Sequence, residues 1–220
     1  MIFAYLCART GPQLNILTPF LKHIVVFASG SGTNFQALID AVESGKIDAR
    51  IRGLVSNKTG IKALKRAQKH GIDTFVINPS SFETHKNYLR ALLEKLRDWN
   101  TDLIVLAGYM IKIPAEIIEE YSGRIVNIHP SLLPEYGGKG FYGIKVHRAV
   151  IENNEKESGC TVHLVTEEYD KGPILAQEKV PVKNSDSPES LAERVLEKEH
   201  YLLPKVVAEM INDLNPKTYN

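Results

Sequence analysis

Two polar side chains interrupt an apolar run at IVNIH, where Asn127 and His129 sit two residues apart and Pro130 ends the run. Alternate residues of a strand share a face, so Asn127 and His129 point one way and Val126 and Ile128 the other. An amide donor beside an imidazole suits stabilisation of a tetrahedral oxyanion in acyl transfer. The alternative is that the two only satisfy loop backbone groups. Further along, EEYDKGP places Asp170 in a turn. Turn carboxylates are commonly just solvated. Brought beside His129, this one would raise the imidazole pKa and hold its tautomer. No serine or cysteine is spaced to act as a covalent nucleophile. His163, in CTVHLV, could also face such a site, although a core histidine with its bonds satisfied is the commoner arrangement.

A second motif is GSGTN, residues 30–34, between a strand-like and a helix-like segment. Backbone N–H groups and the helix dipole at such a junction favour a phosphate. The spacing is neither GxGxxG nor a P-loop, because no GK[ST] is present. A mononucleotide phosphate fits it better than a dinucleotide. The alternative is an ordinary tight turn from strand to helix.

The elements that must position these groups follow from periodicity. Strands are expected over 23–29, 49–57, 73–78 and 102–110, the last almost wholly apolar like a central parallel strand. Helices are expected over 35–44, 61–70, 82–99 and 114–121, with Gly45 and Gly71 ending the first two. The IVNIH strand comes next. Strands alternating with helices of this length predict a doubly wound, mostly parallel α/β sheet. In open sheets of this kind, ligands bind at the carboxyl ends of the strands, where His129 lies. After Val150 the pattern changes to two strands around the DKGP turn, read as a hairpin. A long amphipathic helix follows, with Ser187 as N-cap and Pro188 at its first position. The expectation is one domain over 23–211 with a mixed sheet, an extension over 1–22 and a tail over 212–220.

Composition narrows the function classes. Lys plus Arg is 27 against 26 for Asp plus Glu, a balance that gives no general attraction to nucleic acid or acidic membranes. Any anion site must therefore be local. No apolar run approaches the ~18 residues of a membrane span. The two cysteines, Cys7 and Cys160, form neither a disulfide framework nor a CxxC metal pattern, which fits a reducing cytosol. No metal is expected.

Taken together, IVVFASGSGTNFQALID, LIVLAGYM, IVNIHPSLLP, CTVHLVTEEYDKGPIL and EKEHYLLP resemble the folate-dependent phosphoribosylglycinamide formyltransferases, from about His23 to Ile211. The resemblance implies a Rossmann-like formyltransferase fold. It also implies transfer of formyl from 10-formyltetrahydrofolate, a co-substrate, to the amine of glycinamide ribonucleotide. Matched by position, Asn127, His129 and Asp170 become the catalytic set, with His129 protonated under the influence of Asp170. Gly32, Thr33 and Asn34 match the phosphate loop, and Glu199 matches the ribose-binding acid. The folate site falls on Met110, Ile111, Lys112 and Ile113, with Asn127 and a further contact at His85. The chain departs from the family at His85 and Ile111, where arginine is expected, so Lys86 or Lys112 would meet the folate glutamate tail. The loop EYGGKGFYGIKVH matches a longer variant of the family. Small-molecule substrates, a cytoplasmic location and a monomer or homodimer are expected, with no nucleic acid or membrane partner. Two rival readings are a formyltetrahydrofolate hydrolase-like deformylase and a non-catalytic nucleotide or folate-binding module. The 22 residues before the resemblance are too few for the hydrolase's regulatory domain, since folding below ~40 residues is rare.

Overall fold

A computed structural model describes residues 21–214. Seven strands form one sheet in the order β3-β2-β1-β4-β5-β6-β7. The first five, β1 Lys22–Phe27, β2 Ala49–Ser56, β3 Asp73–Val76, β4 Leu103–Leu106 and β5 Ile125–His129, run parallel. The last two, β6 Glu157–Leu164 and β7 Ile174–Pro181, pair antiparallel as a hairpin on β5. The expected mixed, mostly parallel α/β sheet is present. The extension and tail lie almost wholly outside the described residues. Lys22 already belongs to β1, and the final helix continues to Leu214.

The helices cover both faces of the sheet, because the central strands bury side chains on both sides. Ile24, Val26, Leu103, Val105, Val126 and Ile128 pack against α1 Thr33–Glu43 and α6 Pro188–Leu214. Val25, Phe27, Ile104 and Ile125 pack against α3 His85–Asp98 and α4 Ala115–Glu120. The remaining helices are α2 Lys62–Lys69 and α5 Ile144–Glu152. Each buried Leu, Ile or Val side chain contributes about 1.5–3 kcal/mol, so the two apolar layers hold the sheet from either side.

Three segments differ from the sequence expectation, each for a local reason. The helix expected from residue 82 starts at His85, after a short 3-10 turn at Pro79–Ser81. Thr84 Oγ1 accepts from the Asn87 N–H and caps it there, at 3.2 Å. The apolar run to Met110 is strand only as far as Leu106. Gly108, at φ 76°, turns the chain out of the sheet. Finally, the chain forms a helix, α5, directly after Gly143, where the sequence pattern predicts no element; Val146, His147 and Val150 form its buried stripe.

Strand order reverses between β1 and β4, and the crevice at their carboxyl ends is where an open sheet takes its ligand. Its walls are tied together. Ser29 Oγ donates to Asn57 Oδ1 at 2.5 Å and accepts from the Met110 N–H at 2.9 Å. One hydroxyl thus joins the loops leaving β1, β2 and β4.

The turn that carries Asp170 depends on Gly172. A Cβ there would lie 1.8 Å from the Leu164 carbonyl oxygen, a collision with backbone that no rotamer relieves. Gly172→Ala should therefore lower unfolding free energy by about 1–3 kcal/mol in urea titrations, as expected of an overpacked buried site. A loss under about 0.5 kcal/mol would show that the turn yields freely.

Candidate active site

A cleft of about 590 Å³ opens at the reversal point, within the usual size range for small-ligand sites. It is lined by the loop 30–34 after β1, residues 106–113 after β4, residues 138–144 and the segment 165–170. Asn127, His129, His163 and Glu199 contribute side chains to it.

The antiparallel register explains the floor. Asn127 sits opposite His163 and His129 opposite Thr161. The Asn127 amide donates to His163 Nε2 at 3.1 Å, while His163 Nδ1–H donates to the Leu164 carbonyl at 2.9 Å. A carbonyl only accepts, so the His163 proton is on Nδ1 and Nε2 is free to accept. His129 shows the same logic with its nitrogens exchanged. Its Nε2–H donates to the Tyr136 carbonyl at 2.9 Å, leaving Nδ1 toward Asp170 Oδ2 at 3.7 Å. The second carboxylate oxygen lies 3.5 Å from His163 Nε2. Asp170 itself has φ 55°, a left-handed conformation that Asp tolerates better than most residues. It accepts the Gly138 N–H at 2.8 Å. The loop after Pro130 is fastened from β6 and β7. Thr161 Oγ1 donates to the Ser131 carbonyl and accepts from the Leu133 N–H, and Gln177 reaches both Thr161 and Leu133.

The electrostatics differ from the expected raised imidazole. Burial pushes the His129 pKa down and outweighs the pull of Asp170 and the Tyr136 bond, with the His163 charge adding to the fall. The balance favours the neutral imidazole. Burial works in the opposite direction on Asp170, but the His163 contact, the His129 charge and the Gly138 N–H prevail and hold the carboxyl below its ordinary value. The structure thus brings Asn127, His129 and Asp170 together and adds His163, which sequence reasoning left in the core. His163 is indeed only 2% exposed. Its place at the cleft follows from strand register, which no local pattern reveals.

At the other end of the cleft, α1 begins at Gly32 with no side-chain cap, so its first N–H groups face the opening. Gly32 has φ 69°, and a Cβ there would lie 2.7 Å from Ala63 Cβ. Substitution at this position reports on packing against α2 before it reports on any ligand. Asn34 Nδ2 donates to Glu199 Oε2 at 2.6 Å, and Asn34 Oδ1 has no partner among the described residues. Burial raises the Glu199 pKa to about 7 despite the Asn34 bond. Met110, Ile111, Lys112 and Ile113 line the cleft, and Lys112 Nζ stands 5.7 Å over the Tyr169 ring. His85 is exposed on the first turn of α3 and is not among the lining residues, so the structure does not bring it to the others. No cluster of His, Cys, Asp or Glu able to hold a metal occurs among the described residues. Nor is any described helix long and apolar enough to cross a membrane.

Comparison with known proteins agrees with this architecture. The formyl transferase family profile matches residues 22–207. The phosphoribosylglycinamide formyltransferase of Escherichia coli (strain K12) is 40% identical over 84% of this chain and 85% of its own. The chloroplastic protein of the same name from Arabidopsis thaliana is 43% identical over 86% of this chain. The chain spans 65% of that relative, less than two thirds of its length. The crystal structure of glycinamide ribonucleotide transformylase 1 from Symbiobacterium toebii superposes with a TM-score of 0.82 at 36% identity, covering 88% of this chain and 89% of that one.

The buried Glu199 generates a stability test. Its folded pKa of about 7 exceeds the ordinary carboxyl value of 4.5, so the folded state holds the proton more tightly than the unfolded chain. That contribution is complete below pH 4.5 and is lost as pH rises through about 7. Glu199→Gln keeps an acceptor for Asn34 and removes the titration. Its stability relative to the parent should rise by roughly 1–3 kcal/mol between pH 5 and pH 8 in urea unfolding. The same difference at both pH values would refute the raised carboxyl.

Proposed function

The chain belongs to the formyl transferase family, and from that premise we propose that it transfers the formyl group of 10-formyltetrahydrofolate to the amine of glycinamide ribonucleotide, a step of purine biosynthesis. One observation carries this reading. The Asp170 carboxylate reaches two imidazoles at the cleft floor, His129 at 3.7 Å and His163 at 3.5 Å, with the Asn127 amide 3.1 Å from His163. The names of the Escherichia coli and Arabidopsis relatives point to the same substrate.

Backbone N–H groups of Gly32, Thr33 and Asn34 take the substrate phosphate at the uncapped start of α1, and Glu199 accepts from the ribose hydroxyls. The folate lies along Met110, Ile111, Lys112 and Ile113, with Lys112 the cation available to its acidic tail. The amine then attacks the formyl carbon, forming the new C–N bond and placing negative charge on the formyl oxygen. One Asn127 amide hydrogen is held by His163, which aims the other at that oxygen. The attacking nitrogen becomes cationic as it bonds and gives up a proton, which neutral His129 accepts at Nδ1 under the attraction of Asp170. The imidazolium now donates to the oxyanion. Collapse breaks the bond from carbon to the folate N10, and the proton from His129 passes to that nitrogen. Preorganised donors of this kind contribute ~10²–10³ each in rate.

Residues 22–214 form the catalytic unit in this reading, acting on small molecules as a monomer or homodimer in the cytoplasm. Cys160, a buried free thiol, accords with a reducing compartment. A deformylase would use water in place of the amine, but it has no need for the open α1 terminus or for Glu199.

Two measurements test the proposal. Incubated with 10-formyltetrahydrofolate, the protein should release formyl only when glycinamide ribonucleotide is present; equal turnover in water alone would make it a deformylase. Asp170→Asn removes the one group that pulls the His129 pKa upward by charge, so an NMR titration should show that pKa falling further. The kcat should drop by roughly 10²-fold or more with KM little changed, the mark of a group acting in the transition state. An unmoved imidazole pKa with near parental kcat would remove Asp170 from the mechanism.

A further inference from the structure

We propose that Arg66 recognises the substrate phosphate from behind the loop, both by fixing the Ser31 peptide and by supplying the positive charge that the loop lacks. The inference rests on the phosphate-loop reading above and extends it to a residue outside the cleft lining. A phosphate monoester carries about −1.5 to −2 charges near neutrality, whereas a helix N-terminus offers roughly +0.5. Inside the cleft the balance runs the wrong way. Lys112 and Lys139 are outnumbered there by Glu167, Glu168, Asp170 and Glu199.

A supply beside the loop is α2, KALKRAQK, which has four cationic side chains and no acid. This helix is docked on the loop. The Ala63 N–H donates to the Gly30 carbonyl at 3.2 Å, and the Cβ space of Gly32 is filled by Ala63. Arg66 lies one turn further along, on the same face. Its Nε donates to the Ser31 carbonyl at 3.1 Å and one terminal nitrogen donates to Gln36 Oε1 at 3.0 Å. Gln36 is held in that orientation because its own amide donates to Asp40 at 2.8 Å. Both Arg66 bonds therefore end on neutral oxygens, and the guanidinium charge is not spent on a carboxylate. It is felt by His200, whose pKa is lowered by burial and then by Arg66. Arg66 lines a neighbouring groove that meets the cleft at Thr33, which borders both. By drawing the Ser31 carbonyl backward, Arg66 leaves the following N–H groups facing the cleft. Its third nitrogen and its charge remain for the phosphate.

The test compares ligands that differ only in the phosphate. Calorimetry on Arg66→Met should show glycinamide ribonucleotide binding about 10- to 100-fold weaker, as for a lost bond to a charged group. The dephosphorylated riboside and the folate should bind as before, and Arg66→Lys should recover part of the loss. Equal weakening of ribonucleotide and riboside would reduce Arg66 to a structural tie, and unchanged ribonucleotide affinity would overturn the inference outright. If Arg66→Met unfolds, Arg66→Lys and Arg66→Gln carry the same comparison. Ribose 5-phosphate separates this inference from the proposed function. Loss of its binding in Arg66→Met supports the role of Arg66 even if the parent transfers no formyl group. Unaltered binding beside an active parent removes Arg66 alone.

Discussion

A carboxylate enclosed between two imidazoles sets the terms for the whole cleft. The Gly138 N–H donates to the Asp170 carboxylate while His129 and His163 flank it, and each of these arrives from a different part of the chain. His129 comes from the last parallel strand, His163 from the first antiparallel one, and Gly138 from the crossing loop. Withdrawing any one of them leaves a buried charge short of partners, which is costly at low dielectric. The same enclosure accounts for the resting state of His129. Burial strips the imidazole of solvent and keeps it neutral, while Asp170 keeps it close to accepting a proton. Opposed influences of this kind hold an acid–base group ready to change state when a reacting charge appears.

The change of strand direction after β5 is what makes the enclosure possible. The segment 130–156 between β5 and β6, which includes α5, is long enough for a parallel crossover, yet the chain pairs antiparallel. The antiparallel hairpin instead brings His163 directly opposite Asn127, and its turn carries Asp170 back over the floor. Thr161 and Gln177 then use the same two strands to fasten the loop after Pro130, so that the Tyr136 carbonyl meets His129. Sheet topology, loop anchoring and the tautomers of both histidines are thus consequences of one pairing.

Local pattern was enough to read much of this. Period-two alternation separated Asn127 and His129 from Val126 and Ile128, and the strand–glycine–helix order located the loop at residues 30–34. Besides α5, three features escaped it. The role of His163 depends on pairing between strands far apart in sequence, and an isolated histidine in an apolar strand has the same pattern whether or not it meets a partner. The run 102–110 reads as strand throughout, yet Gly108 and the Ser29 hydroxyl turn its second half into a cleft wall. The sign of the His129 shift was also out of reach. Sequence names the neighbouring carboxylate but not the depth of burial that opposes it. Conversely, His85 entered by positional match alone, and its exposed place on α3 owes nothing to the cleft.

Glu199 gives the cleft a thermochemical signature. With a pKa of about 7 and the Asn34 amide as its hydrogen-bond partner, the carboxyl is divided between its two protonation states at neutral pH. Hydroxyl groups that donate to it favour the ionised form, so a sugar bound against α6 as proposed would expel a fraction of a proton into solution. The medium must absorb that proton. The heat of association would therefore include the ionisation enthalpy of whichever buffer is present, and apparent affinity would strengthen as the solution becomes more alkaline.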